Sequence, residues 1–169
     1  MPTERWLTER EQAMWRGFVQ MRRVLDQVIE AQLAEHGLST ADYALLVPLS
    51  EAPDGVLRPR DLGHVTGWDR SRLAHQLRRM DQRGLVRRFD CLTDARGTMV
   101  HITPAGRQAI DAAAPGHVET VRRHLVDLLT PAEIETLTTI AARVVSTAAA
   151  SSCETEDASE PPVGKPPGR

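Results

Sequence analysis

Between positions 58 and 84 two short apolar stripes are interrupted by Thr66-Gly67-Trp68, and this interruption constrains the fold more than any other feature of the chain. Before it, Leu62 and Val65 lie three residues apart. After it, Leu73, Leu77 and Met80 are spaced by four and three, which is one face of a helix. Asp69 is placed to cap that second helix, where a carboxylate meets unpaired N–H groups and the positive end of the dipole. Gly84 stops it. Two short helices joined by a turn of three or four residues that contains Gly make a helix-turn-helix.

The residues after Gly84 extend the motif. Leu85-Val86-Arg87-Arg88-Phe89 and Met99-Val100-His101-Ile102 read as short strands, and the polar, Gly-containing DCLTDARGT between them reads as a turn. A hairpin directly behind the second helix is a wing. The stretch GWDRSRLAHQLRRMDQRG, positions 67–84, is densely basic although the whole chain carries only −2. Resolved along the chain, positions 58–107 hold eleven arginines, no lysine and five aspartates, a net +6, which leaves −8 for the remainder. A basic segment between acidic ends is the pattern of a nucleic-acid-binding region. Charge alone also fits a solvated surface whose Arg preference reflects a GC-rich genome.

The flanks are helical. Thr8 and Glu11 form a capping box, and Met14, Phe18, Met21, Leu25 and Val28 then recur by fours and threes on a helix ending near Glu35 and Gly37. Trp15 and Val19 widen its apolar face, so more than one neighbour is needed to cover it. Ser39 and Asp42 start another helix, with Tyr43, Leu46, Val47 and Leu49 on its core side. Positions 51–55 read as a loop. Thr103-Pro104 and Thr130-Pro131 place an N-cap before a first-turn proline, starting helices over about 104–129 and 131–149, the second with Glu133 in a capping box. Pro115-Gly116 is expected to kink or break the first of these. From Ser151 the chain turns polar and Pro-rich and reads as a disordered tail.

The motif strings RSRLAHQLRRMDQRGLVRR, TDARGT and ITPAGRQAI, in this order and spacing, resemble the MarR family of bacterial transcriptional regulators. The likeness is strongest to an actinobacterial branch with a GW-x-RSRL-x-HQL second helix, and it covers about positions 8–148. It implies a mainly α fold with a small β-hairpin wing. A winged helix-turn-helix DNA-binding domain would occupy 39–103. A helical dimerisation region would combine 8–36 with 104–149, and 150–169 would be the disordered tail. It further implies a homodimer that reads a pseudo-palindromic operator in double-stranded DNA, with half-sites about one turn apart. It implies no enzymatic activity and no cofactor.

In such a regulator the start of the second helix reaches base edges, which assigns Arg70, Ser71, Arg72, His75 and Gln76 to readout. Arg79 lies further along, toward a phosphate or an acidic partner. Arg58 and Arg60 begin the preceding helix, where phosphate contact is expected. Arg96 matches the wing position that enters the minor groove, and Asp94 matches its acidic support. Asp69 stands where the branch usually has Ser. It reads first as a cap, and its carboxylate is also able to accept from cytosine N4. A small aromatic or anionic effector is a family-level expectation, with Trp15, Arg16, Tyr43 and Trp68 as candidate lining.

Other readings have less support. Cys91 lies in an Arg-rich wing, so a redox-responsive regulator is one alternative, and a winged-helix module that binds protein is another. The six histidines are scattered, and Cys91 and Cys153 have no metal-type spacing. No phosphate-cradling glycine loop, zincin motif or nucleophile elbow is present. No run of about 18 apolar residues suggests a membrane span, and the charged first residues do not resemble a signal peptide. The expected location is a reducing cytoplasm.

Overall fold

The computed structural model describes residues 5–90 and 98–157, with the side chains of Asp90 and 148–157 outside the description. Among the described residues, six α-helices and a small sheet occur in the order α1 (Glu9–Glu35), α2 (Thr40–Glu51), a 3₁₀ turn (Pro53–Gly55), β1 (Val56–Leu57), α3 (Pro59–Thr66), α4 (Arg70–Gln82), β2 (Val86–Asp90), β3 (Thr98–Ile102), α5 (Pro104–His124), a second 3₁₀ turn (Val126–Leu128) and α6 (Pro131–Asp157). The chain divides into two compact units, residues 1–125 and 126–169.

The first unit is built around an aliphatic core. Leu33 of α1, Leu45, Leu46 and Leu49 of α2, Leu62 of α3, Leu73, Leu77 and Met80 of α4, Val86, Val100 and Ile102 of the sheet, and Ile110 and Ala113 of α5 are all buried together. The inward residues of α4 are those the 3–4 spacing selects. Leu62 of α3 is likewise inside, but Val65 is 65% exposed. Gly67 ends α3 with φ +67°, a left-handed turn that glycine adopts without Cβ strain. That turn lets Asp69 begin α4 only two residues later.

The sheet is antiparallel with order β1-β3-β2, pairing Val56 with His101 and Arg88 with Val100. The two wing strands are where the sequence suggests. The third strand, β1, is an addition, and its two residues are too few for any alternation to reveal. The caps also match expectation. Ser39 and Asp42 form a capping box on α2, as Thr8 and Glu11 do on α1. Thr103 Oγ1 accepts from Gly106 N at 3.0 Å at the start of α5.

Two helices differ from their expected form. Pro115 does not break α5, which runs unbroken to His124 and ends five residues before the expected 129. Proline removes the one N–H that would reach the Asp111 carbonyl, and the helix continues past it with α1 packed alongside. Gln32 Nε2 from α1 donates to the carbonyl of Ala113 at 3.2 Å, and a Cβ on Gly116 would lie 2.6 Å from that same nitrogen. In the second unit, Thr130 and Glu133 cap α6 reciprocally, with Thr130 N donating to Glu133 Oε2 at 2.8 Å. Helix α6 continues past 149 to Asp157. The residues there, AAASSCETED, contain neither Pro nor Gly, and alanine is the best helix former. The remainder of the expected tail, 158–169, lies outside the described residues.

Candidate nucleic-acid interface

Helix α4 has two unlike sides. Leu73, Gln76, Leu77 and Met80 face the core, while Arg70, Ser71, Arg72, Ala74, His75, Arg78 and Arg79 are exposed. At 100° per residue the direction opposite the core runs through Ser71, His75 and Arg78. Arg70 flanks that stripe on one side, and Arg72 and Arg79 on the other. A short helix with an apolar keel and a rim of guanidinium groups has the width and charge to enter a major groove.

Local contacts position several of these groups. Asp69 Oδ1 accepts from Arg72 N at 2.9 Å, so this carboxylate is an N-cap. The Arg72 guanidinium lies over the Trp68 ring, 4.3 Å from its centroid, a cation–π contact that orients it from the helix-turn-helix corner. Arg60 is highly exposed and only loosely associated with Asp61 at 3.6 Å. Arg58 is half-buried at the start of α3. A cleft of about 750 Å³ runs beside α4, and its lining includes Arg58, Arg60, Trp68, Arg70 and Arg88. Arg88 also pairs with Asp81 at 3.4 Å. Arg87 and Arg88 are both exposed, although consecutive strand residues point to opposite faces of the sheet.

Gln76 requires a correction. It is 7% exposed, and its Nε2 donates to Asp42 Oδ1 at 2.8 Å, so it points into the protein and not toward base edges. Burying a polar amide is costly unless it is hydrogen-bonded, and Asp42 supplies that bond. Asp42 is itself buried. Burial pushes its carboxyl up, but hydrogen bonds from Ser39 and Arg83 outweigh this and hold it below the ordinary carboxylate value.

Arg78, not among the candidates assigned from sequence, lies on this exposed face, where the i, i+4, i+7 spacing from Ser71 through His75 places it. Asp94, Arg96 and Cys91 lie outside the described residues. The four candidate effector residues do not converge on common neighbours. Trp15 stacks on Phe18 at 5.9 Å, Arg16 donates to Gln12, Tyr43 lies against His117 at 4.5 Å, and Trp68 sits under Arg72. Burial lowers the His117 pKa. Among the described residues no group of His, Cys, Asp and Glu could hold a metal ion, and no helix is long and apolar enough to cross a membrane.

A helix-turn-helix with an antiparallel strand pair behind its second helix defines a winged-helix protein. The chain is 38% identical to AbsC, a MarR family transcriptional regulator from Streptomyces coelicolor, over 86% of its own length and 99% of that chain, with a TM-score of 0.83. It is 36% identical to Sco3205, a MarR family transcriptional regulator of the same organism solved in complex with DNA, over 86% of its length and 91% of that chain, with a TM-score of 0.81. A mutant MarR from E. coli complexed with operator DNA shares the fold at 22% identity and a TM-score of 0.70, covering 78% of this chain and 93% of that one. No family model matches the chain, and no curated protein matches it. On the likeness to the two Streptomyces proteins, the chain belongs to the MarR family of transcriptional regulators.

Proposed function

We propose that this protein is a cytoplasmic, non-catalytic regulator that binds a pseudo-palindromic operator in double-stranded DNA as a homodimer. The observation that carries the reading is the exposed face of α4, where Ser71, His75 and Arg78 are flanked by Arg70, Arg72 and Arg79 on a buried Leu73–Leu77–Met80 keel. Arg70 and Arg72 read bases, since a guanidinium grips guanine through two hydrogen bonds. Ser71, His75 and Arg78 reach the groove floor beside them. Arg79, Arg60 and Arg58 meet phosphates. By family likeness, Arg96 supported by Asp94 enters the minor groove from the wing, and a small aromatic or anionic effector modulates binding. The structure of Sco3205 with DNA supports the choice of nucleic acid as partner.

Fluorescence anisotropy against the DNA upstream of its own gene, compared with a scrambled duplex at several salt concentrations, tests this. Expected is preferential binding with two subunits per site and a steep fall with salt, because each phosphate contact releases counterions. Salt-insensitive binding, or none at low salt, would overturn it in favour of a protein-binding winged helix.

A further inference from the structure

Asp42 is where the corner between α1 and α2 meets α4. Its side chain is 1% exposed. Oδ2 accepts from Ser39 N at 2.9 Å, from Ser39 Oγ at 2.7 Å and from Arg83 Nη1 at 2.7 Å, while Oδ1 accepts from Gln76 Nε2 at 2.8 Å. Arg83 Nη2 donates in turn to the carbonyl of Gly37. Ser39 and Gly37 belong to the α1–α2 corner. Gln76 is in the middle of α4, and Arg83 is its C-cap.

Capping α2 does not require all of this. The boxes at Thr8–Glu11 and Thr130–Glu133 use the Ser39-type contacts alone, and both are exposed. The two further bonds of Asp42 go to α4. They are seven residues apart, two turns or about 10 Å along the helix. Beside the non-directional packing of the Leu73–Leu77–Met80 keel, a single polar tether constrains the helix at one point, whereas two at that separation constrain both its rotation and its tilt. Gln76 is also the i+4 neighbour of Arg72 and the i−3 neighbour of Arg79. Pinning it sets the azimuth of the arginines at the rim of the reading face. Productive recognition tolerates errors of only about 0.5 Å or 10–20°.

We propose that Asp42, acting through Gln76 and Arg83, is a positioning residue for sequence readout: it sets the rotation of α4, and with it the preference for operator over random DNA, without touching DNA. The inference rests on the DNA-binding reading above. It also removes Arg83 from the phosphate-binding arginines of the basic segment, because both of its terminal nitrogens are engaged within the protein.

The test begins with selection by wild-type protein from a random-sequence duplex pool. Wild type, Asp42→Asn, Arg83→Gln and Gln76→Leu are then titrated on the selected duplex and on a scrambled one, across salt. Arg83 is 42% exposed, so Arg83→Gln keeps the test informative if Asp42→Asn fails to fold. Expected is a fall in selected-duplex affinity on the order of tenfold, comparable to one lost base contact. Scrambled-duplex affinity and the salt slope should stay at wild-type values. A merely structural role would lower thermal stability and leave the selected-to-scrambled ratio intact in the folded variants, which would overturn the proposal. So would an Arg83→Gln variant that weakens both duplexes equally and reduces the salt slope by about 1, the signature of a phosphate contact. Wild-type protein that selects no motif would overturn the DNA-binding reading itself and the proposal with it.

Discussion

Gly106 shows how closely one residue governs the join between wing and helix. It is the third residue of α5, where a Cβ would lie 2.0 Å from the Leu85 carbonyl oxygen. That oxygen already accepts from Thr103 N at 3.1 Å. Helix propensity alone favours alanine by roughly 0.8–1 kcal/mol, but the steric term opposes it and is larger. Gly106→Ala is therefore expected to destabilise by about 1–3 kcal/mol, read from the urea midpoint; a raised midpoint would mean that α5 shifts freely. Arg72 and Gln76, one turn apart, should separate readout from support. Arg72→Ala should cost about 1–3 kcal/mol of operator binding and relax base preference, with thermal stability close to wild type. Gln76→Ala should lower stability by about 1–3 kcal/mol by stripping a buried carboxylate of a donor. An Arg72→Ala variant with full base preference would remove that side chain from the readout. The position of Gln76 was legible, since 73, 76, 77 and 80 form one inward stripe. Its polarity argued the other way, and the partner that reverses the argument, Asp42, lies 34 residues earlier.

The elements were legible where local chemistry decides them. The caps at Thr8, Ser39, Asp69, Thr103 and Thr130 each satisfy N–H groups within three residues, so the sequence alone locates those helix starts. β1 was not legible, because pairing with β3 across the sheet creates it. The continuity of α5 through Pro115 was not legible either, because an internal proline disfavours a helix without forbidding it, and α1, which packs there, lies far away in sequence. The α2–α5 contact offers a test in which the sign is fixed. His117 packs against Tyr43, and burial holds its pKa below the ordinary histidine value. The unfolded chain therefore takes up a proton near pH 6.5 while the folded one does not. Stability should fall as pH drops below about 7 and level off only once the folded His117 also protonates. His117→Phe, which keeps an aromatic ring against Tyr43, should flatten the stability profile between about pH 7 and pH 5 in thermal melts. A wild-type profile already flat over that range would mean that His117 titrates alike in both states.

At the scale of the whole molecule, the unanswered surface is apolar. In α1 no residue between 9 and 24 is buried, yet Met14, Phe18, Met21 and Val24 share a helical stripe. Trp15 beside them is 52% exposed and stacked on Phe18, itself 43% exposed. In the second unit Ile134, Ile140, Val144 and Val145 of α6 are exposed as well. Monomeric proteins rarely leave an apolar stripe such as that of α1 in water, and the proposed homodimer would cover it. Burying one large apolar side chain contributes about 1.5–3 kcal/mol. Replacing Met14 and Phe18 together by Glu removes two of these from each subunit and introduces charges that would have to be desolvated. Dimer affinity should fall by at least about 100-fold, visible as a monomer in sedimentation and as a melting temperature that no longer rises with protein concentration. Because the core of the first unit uses α1 only from Ile29 and Leu33 onward, the winged helix should remain folded. Its α4 face would then engage one half-site at a time, with roughly half the salt slope and without the gain from linked binding. A variant that stays dimeric would assign this stripe to another partner. A monomer that keeps full operator affinity would show that one winged helix suffices and that the two-fold arrangement contributes nothing to recognition.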